Sequence, residues 1–373
     1  MKILHLISSG GMYGAEAVIL NLSRTINRGP HRSLLGVFSN STQPNLQMHE
    51  TASAQGIESF LVACTGQVDR TVPSALRSLT QKTGADVVHA HGYKADVYAF
   101  LAFRQSATPL VSTCHTWYDN DALVRLYGAL DRRILREYAG VIAVSDDVKQ
   151  RLLNSGVQPD RIHLIRNGID TQPFRRLSKP PQGRPPEAPD PARPLTVGLV
   201  GRLANEKGVD LFLRSAAEVL KLLPSTRFVV VGDGPDRAAL EALIDQLHIR
   251  SGVTLLGRSE DMPSTYASLD LMVSSSRQEG LPIAILEGMA SGLPLVATSV
   301  GAVPSVVQDR ATGVLVPPED VPALTAAIVS LLRDPAARSR LSAAARQRIE
   351  TEFSAERMTS EYLQLYSDVL AKS

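Results

Sequence analysis

A chain of 373 residues is too long for one ordinary core and suits two domains of about 150 to 200 residues each. Hydrophobic residues make up 44% and charged residues 20%, and no apolar run reaches the roughly 18 residues a bilayer span needs, which excludes an integral membrane protein. A net charge of +2 argues against a dedicated nucleic-acid binder, while two cysteines, Cys64 and Cys114, without C-x-x-C spacing argue against a disulfide framework or a zinc site and fit a reducing cytoplasm.

Along the chain, short apolar runs alternate with longer amphipathic stretches, the βαβ rhythm of a parallel sheet covered on both faces. The opening KILHLI reads as a buried strand and not a signal peptide, because its short run ends in Ser and Gly. SSGGMYGAE then sets Gly10, Gly11 and Gly14 behind that strand. It lacks the Lys-Ser/Thr of a P-loop and departs from G-x-G-x-x-G, but two adjacent glycines allow a backbone to approach a ligand closely.

SLLGVF, DVVHAH, PLVSTC, GVIAVS and IHLIRNG supply the next strands. His89 and His91 read most simply as structural, with His91 at the carboxyl end of its strand. His115, beside Cys114 and Trp117, is either a core histidine at a strand end or a site residue, and Cys114 reads as a buried small residue. The stretch Asp121 to Gly140 is amphipathic and carries Arg125, Arg132, Arg133 and Arg136. It suits an ordinary helix packed on the sheet; the sharper alternative is contact with an anionic membrane surface. Residues 1–175 hold 18 Lys and Arg against 14 Asp and Glu, and the remainder 21 against 23, so the first half is the better suited to face anions.

RRLSKPPQGRPPEAPDPARP, with seven prolines from Pro180 to Pro194, cannot be a core element and reads as a semi-rigid linker over 176–194. A first domain over 1–175 and a second over 195–352 follow. LTVGLVG, RFVVVG, VTLLG, LMVSSS, PLVAT and GVLV are the strands of the second, which makes each half a doubly wound sheet. The first of them leads into GLVGRLANEKGVD, where Arg202 and Lys207 precede a helix and suit a pyrophosphate at the carboxyl end of a parallel sheet. VVVGDGPDR adds a glycine turn that alone says little.

The most informative segment is EGLPIAILEGMASGLPLVAT. Pro282 suits a first helical position, and Ile283, Leu286, Met289 and Ala290 form a helical apolar stripe. Glu279 then lies in a loop and Glu287 on the second turn. On one helix, a spacing of eight residues would separate them by roughly 12 Å along the axis, wider than the about 5 to 9.5 Å of hydrolytic carboxylate pairs. Free N–H groups near Gly280, Leu281 and Ile283 at a positive helix end instead attract a phosphate or a sugar hydroxyl, and flanking carboxylates accept hydrogen bonds from a polyol.

With Gly10, Gly11, His115, Arg202, Lys207, Glu279 and Glu287 in that order, nearly the whole chain resembles the retaining nucleotide-sugar glycosyltransferases of family 4. The resemblance implies an α/β GT-B fold, two doubly wound Rossmann-like domains facing a central cleft, with a C-terminal helix from about 353 that packs back on the first domain. It implies a nucleotide-sugar donor held mainly by the second domain: Arg202 and Lys207 on the diphosphate, Glu279 on the sugar, Glu287 on the ribose. Gly280, Leu281, Pro282 and Ile283 would sit nearby, and the segment around Arg258 would frame the base. His115 would lie beside the donor sugar and Gly11 would approach the diphosphate.

The implied reaction transfers a hexosyl group with retention to a hydroxyl of a glycan or lipid-linked acceptor, in bacterial polysaccharide or glycolipid synthesis, without a metal or other cofactor. NSTQPNLQMH and TGQVDRTVP would belong to the acceptor side, and the protein would be cytoplasmic or peripheral at the inner membrane face. The rivals are another GT-B nucleotide-sugar enzyme, such as an epimerase, and a non-catalytic nucleotide-sugar-binding protein.

Overall fold

The computed structural model describes every residue except 9–10, 13, 41–44, 66–68, 115–127, 129, 177–192, 281–282 and 373. Two compact units emerge: Met1–Gly168 with Ala355–Ser373, and Ile169–Ser354. Most of the expected linker, 177–192, lies outside the described residues.

The first unit is built on seven strands, β1 (Lys2–Ile7), β2 (Arg32–Asn40), β3 (Ser59–Cys64), β4 (Val87–His91), β5 (Leu110–Cys114), β6 (Gly140–Ala143) and β7 (Ile162–Leu164). They pair in the order β3-β2-β1-β4-β5-β6-β7, all parallel. The central strands are buried on both faces, as parallel strands under helices must be, and so read as continuous apolar runs. β3 is the strand the sequence pattern did not yield. It lies at the sheet edge, where Val62 is buried and Leu61 is 45% exposed, although Phe60 to Cys64 form an unbroken apolar run like those of the other strands.

The C-terminal helix Ala355–Ala371 belongs to this unit. Met358, Tyr362, Leu365, Tyr366 and Val369 recur at helical spacing and form its buried stripe. Two hydroxyls fix its register: that of Tyr366 lies 2.7 Å from His89 Nδ1, and that of Tyr362 3.2 Å from Thr113 Oγ1.

The second unit has six strands, β8 (Thr196–Val200), β9 (Arg227–Val231), β10 (Val253–Gly257), β11 (Leu271–Ser274), β12 (Leu295–Thr298) and β13 (Val314–Val316), paired β10-β9-β8-β11-β12-β13 and again parallel. Its boundary corrects the expected one at 175. Ile169 N–H donates to Phe353 O at 3.0 Å, and Ile169 and Phe174 pack with Tyr266, Met289 and Phe353. These apolar side chains find their cover in the second core, where burying Phe174 contributes about 2 kcal/mol. An ion pair from Arg175 Nε to Glu350 Oε1, 2.6 Å, lies on the same side of the division.

In both sheets the strand order reverses beside the first strand, between β1 and β4 and between β8 and β11. Ligands of open α/β sheets bind in the crevice at the carboxyl side of such a switch point.

Candidate functional site

At the β8/β11 switch point, the turn after β8 and the loop after β11 lie against each other. Lys207, in the short 3-10 turn Asn205–Lys207, places Nζ 2.7 Å from Glu279 Oε1. The Glu279 side chain is only 7% exposed, and Ser276 Oγ donates to the same oxygen at 2.6 Å. Two donors on one oxygen fix the carboxylate in a single orientation and leave Oε2 facing elsewhere. A buried carboxylate without such partners would carry a large desolvation cost.

The loop after β12 completes this wall. Thr298 Oγ1 donates to Ser276 O at 2.6 Å, and Ala302 N–H to Gly280 O at 3.3 Å. Gly301 adopts φ +52°, and a Cβ there would overlap the carbonyl oxygen of Glu279. Only glycine admits this approach.

Arg202 is exposed on the same turn as Lys207, immediately after β8. The glycine turn GDG supports that turn. Leu203 N–H donates to Asp233 O and Asp236 N–H to Leu203 O, at 3.1 and 3.0 Å, and a Cβ on Gly232 (φ +141°) would collide with Gly201 O.

Glu287 lies on the helix Ile283–Ala290, whose buried face is Ile285, Leu286, Met289 and Ala290. Its Oε2 accepts from the Tyr266 hydroxyl at 2.9 Å. Burial pushes the Glu287 carboxyl up to about 7, and the Tyr266 hydrogen bond opposes that rise. Burial first, then the Glu287 charge, raises the Tyr266 hydroxyl well above its ordinary value, so Tyr266 stays a donor. Arg258 follows β10 at the sheet edge, with β9 between it and β8. Gly11 is buried, four residues after the end of β1. Gly10, His115, Leu281 and Pro282 lie outside the described residues, as do residues 121–127 and 129 of the expected basic helix from Asp121.

The structure thus brings Lys207 and Glu279 into contact and sets Glu287 on the adjoining helix, with Arg258 apart at the edge. Sequence reasoning missed Ser276, Tyr266, Arg277 and Asp210. The last two form a bidentate pair at 2.7 and 2.9 Å, and the Arg277 hydrogen bonds hold the Asp210 carboxyl below its usual range. Ser276 and Arg277 had a signal in SSSRQEG, three and two residues before Glu279; Tyr266 and Asp210 had none.

In the first unit, His5, His89 and His91 gather on one face of β1 and β4, the one grouping among the described residues with metal-ligand potential. His5 Nδ1 lies 3.0 Å from His91 Nε2. Both His89 nitrogens are engaged, Nδ1 by Tyr366 and Nε2 by Thr113 Oγ1 at 2.8 Å, so a cation would have to displace one of them. Burial lowers His5 to about 3, which leaves it neutral at physiological pH.

Two family models match the chain: "Glycosyltransferase Family 4" over residues 12–173 and "Glycosyl transferases group 1" over 194–334. Alpha-D-kanosaminyltransferase of Streptomyces kanamyceticus is 32% identical over 288 residues, covering 71% of this chain and 72% of that one. D-inositol 3-phosphate glycosyltransferase of Mycobacterium tuberculosis (strain ATCC 25177 / H37Ra) is 31% identical over 75% of this chain, which spans 61% of its length. Among solved structures, Anabaena Alr3699/HepE in complex with UDP aligns with a TM-score of 0.83 at 21% identity, covering 99% of this chain and 100% of that one. Sucrose-phosphate synthase from Thermosynechococcus elongatus aligns at 0.81 and 20% over the whole of both chains. These likenesses establish a GT-B fold. No described helix is long and apolar enough to cross a membrane.

Proposed function

Because the chain belongs to the family 4, group 1 glycosyltransferases, we propose that it moves a hexosyl group from a nucleotide-sugar donor to an acceptor hydroxyl with retention at the anomeric carbon. The observation that carries this reading is the Lys207 to Glu279 contact at the β8/β11 switch point, with Glu287 on the helix that follows. A cation and a buried carboxylate side by side suit a ligand that presents a diphosphate next to a ring of hydroxyls. The UDP in the HepE complex agrees with a uridine donor.

In this reading, Lys207 and Arg202 oppose the charge that grows on the leaving nucleoside diphosphate. Fixed cations at such a point act mainly on the transition state. These side chains neutralise the leaving group, so no metal is invoked. Glu279 accepts from the donor sugar through its outward oxygen while Ser276 and Lys207 hold the other. Glu287 accepts from the ribose hydroxyls, which favours its ionised form. The family resemblance further assigns Gly280, Leu281, Pro282 and Ile283 to the sugar and phosphate, Gly10 and Gly11 to the diphosphate, Arg258 to the base and His115 to the sugar.

As the bond from C1 to the phosphate oxygen breaks, its electron pair passes to the diphosphate. The acceptor oxygen forms the new bond to C1 on the same face, and its proton goes to a phosphate oxygen. The acceptor is a glycan or lipid-linked hydroxyl, in bacterial polysaccharide or glycolipid synthesis. The inositol phosphate in the name of the mycobacterial relative favours a polyhydroxylated acceptor.

The test is nucleoside diphosphate release from UDP-, GDP- and ADP-sugars with a crude glycolipid or oligosaccharide acceptor. Release with one donor class, lost in Glu279→Ala, supports the reading. No release with any donor refutes it.

A further inference from the structure

Arg277 carries no role in the reading above, yet it is the most densely bonded side chain at the switch point. Its Nε donates to Glu319 Oε1, its Nη1 to Asp210 Oδ1 at 2.7 Å and Asn205 O at 2.9 Å, and its Nη2 to Asp210 Oδ2 at 2.9 Å and Glu319 Oε2 at 3.5 Å. All five guanidinium N–H donors are thereby engaged, and none remains for a substrate. Its side chain is 21% exposed. Glu319 meets it from a backbone at φ +60°, a region that residues other than glycine seldom occupy.

What these bonds join is specific. Asn205 and Glu206 are the two residues before Lys207, and Asp210 opens the helix Val209–Leu222 after it. Arg277 N–H donates to Glu206 O at 2.8 Å and Gln278 N–H to the same oxygen at 3.2 Å. Ser275 Oγ closes the far side on Gly208 O at 2.7 Å. The residues on both sides of Lys207 are therefore tied to Ser275, Arg277 and Gln278, three of the four residues that precede Glu279.

We propose that Arg277 is a positioning residue for sugar transfer, locking the Lys207 turn to the Glu279 loop so that cation and carboxylate share one geometry. The proposal rests on the donor-site reading above. A planar fork with five donors can hold Asp210, Glu319 and Asn205 O together, whereas an ammonium point charge cannot span the same three acceptors. Displacing a catalytic group by about 1 Å can cost on the order of 10²-fold in rate.

The experiment compares Arg277→Lys, Asp210→Asn and their double variant with the wild type, reading thermal midpoint, kcat and KM for the donor that supports release. Arg277→Lys keeps the charge and most of the packing, so the midpoint should hold. The expected result is a fall in kcat of about 10-fold with donor KM moving less than about 3-fold, and a double variant no slower than the slower single one. An unchanged kcat in Arg277→Lys, beside an active wild type and an inactive Glu279→Ala, overturns the proposal alone. So does a loss confined to the thermal midpoint, which is what a purely structural role produces. A wild type that releases no nucleotide overturns the donor-site reading and this proposal together.

Discussion

The two switch points share a topology and differ in their chemistry. Between β8 and β11 the loops carry opposite charges in contact, Lys207 with Glu279 and Arg277 with Asp210 and Glu319. Between β1 and β4 the buried groups are imidazoles, and the bonds of His89 run to Tyr366 of the C-terminal helix and to Thr113. The first arrangement presents charge that a ligand can share. The second closes most of its polar atoms on one another and fastens a helix. A parallel sheet offers the crevice at every such reversal, and the side chains on the loops decide whether it binds.

The contrast breaks most sharply at Lys207. Lys207→Gln keeps an N–H donor for Glu279 and removes the positive charge, so the transfer rate should fall about 10²- to 10³-fold while the fold persists, as nucleotide release and circular dichroism together would register. The opposite outcome is expected at His89. His89→Ala strands the Tyr366 hydroxyl in a buried site, leaves Thr113 Oγ1 with Tyr362 alone, and should cost about 2 kcal/mol of stability, read by urea titration. Its turnover per folded molecule should change less than about 3-fold. A dead but stable His89→Ala would erase the distinction between the two sites.

The pH dependence sharpens the comparison further. Glu287, pushed up to about 7 by burial, must ionise to accept two ribose hydroxyls. Nucleotide affinity should therefore rise about 10-fold between pH 6 and 8, with proton release visible by calorimetry in buffers of different ionisation enthalpy. For the unliganded protein the sign is reversed. The folded state binds the proton more tightly than the unfolded chain, so this group's contribution is greatest below about 4.5 and is lost as pH rises through about 7. Tyr266→Phe removes the bond that favours the carboxylate and should move the affinity transition upward, lowering affinity at pH 7 by a few-fold in the same titration. An affinity flat across this range would separate Glu287 from the ribose.

Much of this was legible in the sequence. Buried parallel strands appear as apolar runs, so eleven of the thirteen needed only composition, and short β7 was visible within IHLIRNG. β3 was passed over although Phe60 to Cys64 are an apolar run as well; its edge position, with Leu61 facing solvent, shows only in the fold. Arg202, Lys207 and Glu279 stand out because each lies in the segment between a strand and the next helix, and Glu287 because it follows Glu279 on that helix. Their direct pairing did not stand out. Glu279 meets Lys207 from 72 residues away, and Arg277 reaches Asp210 from 67. Tyr266 lies 21 residues before the carboxylate it orients. Such partners are set by which strands are neighbours in the sheet, and local periodicity carries no record of that order. The boundary at Gly168 was hidden for a related reason, since Ile169 and Phe174 reveal their allegiance only through the core that covers them.

The most direct measurement is a crystal structure with an intact or non-transferable nucleotide sugar bound. The expected result is a diphosphate oxygen within about 3 Å of Lys207 Nζ, sugar hydroxyls on Glu279 and ribose hydroxyls on Glu287. A nucleotide bound elsewhere, with the Lys207 to Glu279 contact untouched, would contradict it.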